Sequence, residues 1–130
     1  MNMYSLLAKA LTPGVVPQND GGAQAAASDH FVQVTVDNGV ITVDRDTLPV
    51  NGKNATIFWV LQTNGCTFPE NAIVFKTATG GQFFDGQVQA NGRKFHLKDK
   101  NTVIGDFAYT ILVKQGATVL QLDPMIKNQG

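Results

Sequence analysis

The sequence predicts an all-β domain: an immunoglobulin-like or cupredoxin-like antiparallel β-sandwich of roughly seven or eight strands, preceded by an N-terminal arm. Three observations predict it. From Phe31 onward apolar residues recur at every second position, the period of a half-buried strand. Turn residues, Asn-Gly pairs above all, separate these runs at short intervals. After residue 30 no stretch has the apolar spacing of a core-sized helix. At 130 residues, 43% hydrophobic and 15% charged, the chain has the size of one domain and can bury a core.

Residues 1–29 read as the arm and residues 30–130 as the sandwich. Thr12, Pro13, Gly14, Pro17, Asn19, Asp20, Gly21 and Gly22 are breakers, and Ala23 to Ser28 is a low-complexity stretch of small residues. Ahead of them Tyr4, Leu6, Leu7, Ala8, Ala10 and Leu11 suit a short helix, with Ser5 or Asn2 as its N-cap and Pro13 as its stop. So short a helix is marginal in water unless its apolar side docks on something. Tyr4, Leu6, Leu7 and Leu11 are therefore the candidate assembly residues. Ala23, Ala25 and Ala27 could serve a secretory cleavage site, but no positive charge precedes the apolar stretch and Lys9 interrupts it, so a signal peptide fits poorly.

In the sandwich, Val32, Val34 and Val36 face one way while Gln33, Thr35 and Asp37 face the other. Asp37, Asn38 and Gly39 give the strongest hairpin signal, returning into Val40 to Val43. Asn51 and Gly52 mark a further turn before Ala55 to Gln62. There Ile57, Trp59 and Leu61 alternate with Phe58, Val60 and Gln62, so both faces of this central strand are expected to be largely covered. Ile73 to Lys76 is a short strand, Phe83 to Val88 an edge, and Phe95 with Leu97 an inward pair. Phe107, Tyr109, Ile111 and Val113 alternate most clearly, and Val119 to Leu122 is expected to close the sheet after the turn at Gly116.

Composition discards several functions. Ten basic and ten acidic side chains leave no net charge, hence no field toward nucleic acid or anionic lipid. No apolar run approaches the roughly 20 residues that span a membrane as a helix. His30, Cys66, His96 and Met125 are the residue types of a copper site, but Cys66 has no histidine near it in the chain. Cys66 lies in no nucleophile motif, Glu70 is the only glutamate, and phosphate-binding glycine loops are absent. Asp44 and Asp46 flank Arg45, with Asp37 and Asn38 nearby, yet no calcium-loop pattern is present. The reading is no enzyme, no cofactor and no metal.

Two features could form a ligand or partner surface. Lys94, His96, Lys98 and Lys100 alternate with the inward Phe95 and Leu97, so strand geometry puts the basic groups on one outer face. Such a stripe suits an anionic ligand or glycan, and equally protects an exposed strand from edge-to-edge pairing. Phe83 and Phe84 are adjacent, so on a strand they point to opposite faces and one must be exposed or covered by another segment.

The C-terminal third runs Asp99, Asn101, Gly105, Phe107, Tyr109, Ile111 and Val113, then Leu122, Asp123, Pro124, Ile126 and Asn128. It resembles the ending of small bacterial β-sandwich proteins of the DP-EP type, in which an aspartate-proline step follows the last strand. The resemblance covers residues 95–128 and implies an all-β fold and a bacterial origin; no activity, substrate or catalytic residue comes with it. Physically, Asp123 and Pro124 stop a strand. The expectation is a non-enzymatic structural or interaction module that self-assembles through its arm into a homo-oligomer, filament or coat. The alternative is a monomeric binding domain for a glycan or anion.

Overall fold

The computed structural model describes residues 28–130; the assembly residues Tyr4, Leu6, Leu7 and Leu11 and the rest of the arm up to residue 27 lie outside the described residues, while Asp29, expected as its last residue, begins the first strand. In chain order the strands are β1 (Asp29–Asp37), β2 (Val40–Val43), β3 (Thr47–Val50), β4 (Ala55–Leu61), β5 (Cys66–Thr67), β6 (Ile73–Phe75), β7 (Phe83–Gln89), β8 (Lys94–Asp99), β9 (Gly105–Gln115), β10 (Thr118–Leu122) and β11 (Met125–Asn128). They make two sheets of β-sandwich character. One has the order β2–β1–β4–β8–β7; the other runs β10–β9–β11–β3, with β5 and β6 along the remaining edge of β9.

Local sequence explains the hairpins. Asn38 and Gly39 both have positive φ, 52° and 75°, as a two-residue type I′ turn requires. Gly116 opens the β9–β10 turn at φ 61°. Between the sheets lies one core in which Val32, Val34, Ile57, Trp59, Leu97, Ile111, Val113 and Ile126 are buried, each aliphatic side chain contributing about 1.5–3 kcal/mol relative to exposure. An aromatic spine crosses it. Trp59 meets Tyr109 edge-on at 5.6 Å and Phe95 at 6.2 Å, and Trp59 Nε1–H donates to Tyr109 Oη at 3.0 Å. Burial, only partly offset by that bond, pushes the Tyr109 phenol above its ordinary pKa.

Several expectations are corrected. The sheets are mixed, not antiparallel: β1 pairs parallel with β4, and β3 parallel with β11. The cause is that the chain leaves the first sheet after β2, passes through β3 in the second, and re-enters beside β1 in the same direction. Strands number eleven among the described residues: the short strand expected at Ile73 to Lys76 is β6, and the three additional ones are β5, only two residues long, and β3 and β11, four residues each, one containing Pro49 and the other following Pro124. Covering of β4 is complete on one face only, because Ala55, Ile57, Trp59 and Leu61 are buried whereas Thr56, Phe58 and Val60 are half-buried.

Val119 to Leu122 does not close the sheet either. Ile111 stands opposite Leu122 and Ala108 opposite Met125, so the ladder keeps its register through Asp123 and Pro124. Pro124 has no N–H to give, but its carbonyl accepts Tyr109 N–H at 3.1 Å. Asp123 turns outward, accepting the Thr110 hydroxyl at 2.8 Å and facing Lys76 Nζ at 3.4 Å. The Thr110 bond first, and then Lys76, holds its carboxyl below the usual range. Beyond this step the chain acquires a second neighbour, as Met125 N–H reaches Asp46 O at 2.8 Å and β11 aligns with β3.

Candidate functional site

The outer face of the first sheet gathers most of the sequence-predicted surface residues. Lys94, His96 and Lys98 project there, because Phe95, Leu97 and Asp99 alternate with them into the core. Lys100 lies exposed just past the strand, its amide given to Gln82 O. A bulge in β7 decides what stands beside them. Phe84 is opposite Lys98 and Gln87 opposite His96, with Asp85 and Gly86 between. The extra residue brings Phe84 and Gln87 to the same face although they are three apart. Asp85 takes φ 54°, and Gly86 sits where a Cβ would stand 3.0 Å from Phe95 Cζ.

Phe83 and Phe84 are thus separated. Phe83 stacks on Phe75 at 4.2 Å and meets Phe107 edge-on at 5.2 Å, which makes it a bridge between the sheets. Phe84 stays outside. Sequence reasoning missed the face's principal aromatic pair, Phe31 and Phe58, stacked at 5.0 Å with only 15° between their planes. The signal was their registry on neighbouring strands, which periodicity within one strand cannot give. Phe58 in turn receives His96 edge-on at 6.1 Å and Lys94 Nζ at 4.9 Å from its centroid. Lys98 faces Asp85 at 4.0 Å. Each basic group of the strand therefore already has a local partner, and the Phe31 and Phe58 rings stack on each other instead of lying flat as a platform.

The residues that could carry chemistry are dispersed. His30 projects from the inner side of β1: its Nδ1 lies 2.8 Å from Ser28 O and its Nε2 accepts Asn51 N–H at 3.3 Å. His96 is on the opposite side of the same sheet, and Cys66 is buried. Asp44 accepts Gln33 N–H at 2.8 Å, a backbone-anchoring role. Among the described residues no helix is long and apolar enough to cross a membrane.

The sheet edges differ more than the faces do. A free edge presents unpaired N–H and C=O groups that template further strands unless a charge, a proline, a bulge or shortness blocks them. The β7 edge has the Asp85–Gly86 bulge, the β3 edge has Pro49, and β5 and β6 are very short. Edges β2 (VITV) and β10 (TVLQL) have no charged residue and no proline. They come from different sheets and lie against each other on one side of the sandwich. Val40 and Val119 on them are 58% and 57% exposed.

Among the described residues, fold and edges together define a two-sheet, all-β domain with one flank that no charge, proline or bulge protects. No protein-family model matches the chain, and no curated protein matches it.

Proposed function

We propose that the protein is a non-enzymatic interaction module that self-assembles by adding a neighbour's N-terminal arm to the β2/β10 flank. The observation that carries this reading is the contrast among the edges: three are blocked and the adjacent pair is not. Strand addition satisfies the open backbone groups of that flank, and an arm reused between identical chains is an economical route to a homo-oligomer. Dispersal of His30, His96 and Cys66 supports the non-enzymatic reading. We read the sandwich as immunoglobulin-like on the strength of Trp59 in a central strand hydrogen-bonded to Tyr109 in the facing sheet, a likeness that carries no activity. Kinship with the DP-EP type stays a proposal that rests on the sequence of the C-terminal third alone.

Light scattering after size exclusion tests the assembly. The full chain is expected to be oligomeric, and a chain starting at Ser28 monomeric and folded. Val40→Lys with Val119→Lys in the full chain should also give a monomer, since lysine on an edge opposes pairing. A monomeric full chain removes self-assembly, and an oligomeric truncated chain removes the arm as its agent.

A second reading, a binding domain for an anionic glycan, is favoured by one observation. Phe31, 47% exposed, and Arg45 line a pocket of about 240 Å³ with Asp29, His30 and Leu48. Calorimetric titration with a carboxylated polysaccharide should then show binding that Arg45→Ala weakens at least about tenfold, the loss of one charge-assisted contact. Absence of binding to the parent chain removes this reading.

A further inference from the structure

At one end of the core three polar side chains, Asp99, Asn101 and Asn128, are buried to 0% exposure. Asp99 Oδ1 accepts Asn101 N–H at 2.9 Å and Asn128 Nδ2–H at 3.1 Å. Two buried oxygens of this group, Asp99 Oδ2 and Asn128 Oδ1, have no hydrogen-bond partner among the described residues. They belong to the same two side chains that already meet through Nδ2 and Oδ1. Two acceptors cannot satisfy each other, but a single proton makes one of them a donor.

We propose that Asp99 is a carboxylic acid in the folded protein and closes a two-bond ring with the Asn128 carboxamide. Asn128 Nδ2–H donates to Asp99 Oδ1, and Asp99 Oδ2–H donates to Asn128 Oδ1. The ring ties the end of β8 in one sheet to the end of β11 in the other, so one proton clasps the last strand across the core. A buried oxygen left without a donor is destabilising, and more so when charged, so the neutral acid is the form this site favours.

The surroundings agree. Ala55 of β4 and Phe83 of β7 flank Asp99 in the sheet and offer no charge. His30 of β1 is the titratable group that faces it, and the flanking Lys98 and Lys100 are exposed. Burial outweighs the Asn101 and Asn128 bonds and the His30 charge, raising Asp99 above its ordinary 3.8. The folded protein therefore retains a proton that the unfolded chain releases near 3.8. Stability from the clasp is complete below that value and is lost as pH rises through the folded pKa.

Carbon-detected NMR of the side-chain carboxyls of the full chain, followed through a pH titration, tests this. Asp99 should titrate above every exposed aspartate, and Asp99→Asn, which can form the same ring with an amide donor, should keep the fold and lose the fall in thermal midpoint with rising pH. An Asp99 midpoint at or below 3.8 overturns the proposal. So does Asp99→Asn destabilising as much as Asp99→Ala, which would mean that the charge is required. A rise in thermal midpoint on adding calcium chloride, abolished in Asp99→Asn, would put a cation between the two oxygens and overturn it as well.

Discussion

Replacing Asn101 by alanine is expected to destabilise the protein by about 3 kcal/mol, from the loss of buried hydrogen bonds and a left-handed backbone position. Its Nδ2 donates to Val50 O at 3.1 Å and Gly52 O at 3.0 Å, and its Oδ1 accepts Gly130 N–H at 3.1 Å. One side chain thus joins the end of β3, the turn that follows it and the end of the chain. Its φ is 53°, a conformation asparagine tolerates and alanine resists. Urea unfolding should show the loss, with Asn101→Gly recovering only the backbone part. Asn101→Asp should remain destabilised, because it keeps an acceptor for Gly130 but removes both donors. An Asn101→Ala midpoint equal to that of the parent chain would show that the three bonds contribute nothing net.

Arg93→Ala is expected to cost on the order of 2–3 kcal/mol, the range for hydrogen bonds to a charged group that leave buried acceptors behind. No carboxylate pairs with this guanidinium among the described residues. It is spent on main-chain carbonyls: Thr63 O at 2.7 Å, Cys66 O at 2.5 Å and Leu61 O at 3.3 Å. These acceptors lie at the end of β4, in the turn that follows it and at the start of β5. Removing the fork should lower the urea midpoint and speed amide exchange across Gln62 to Phe68. Arg93→Lys should recover only part, since an ammonium cannot span three acceptors in the same plane. A variant within about 0.5 kcal/mol of the parent, the range of an ordinary surface change, would assign the turn's order to other contacts.

Both residues show where reading the chain stops. Arg93 directly precedes the basic stripe in the chain, yet it points back into a turn while Lys94, His96 and Lys98 line the face. Nothing local distinguishes it, because its partners are about thirty residues away and are backbone atoms. Asp99 and Asn128 did carry a signal. Each falls in phase with inward neighbours, Leu97 and Ile126, and a polar residue on an inward phase must find a partner or a proton. Which partner it finds depends on two strand ends meeting across the core.

The strand period, the hairpins at Asn38–Gly39 and Gly116, the inward valines of β1 and the outward basic residues of β8 are all legible along the chain. All of these follow from contacts between near neighbours, where alternation and turn chemistry act directly. Long-range packing set the mixed sheets, the strand β11 after the Asp123–Pro124 step, and the separation of Phe83 from Phe84. It also decided that β2 and β10 share one unprotected flank. Each of these depends on which distant strand lies alongside, and that choice is made by burial of the whole core, a sum over residues that no short stretch of chain contains.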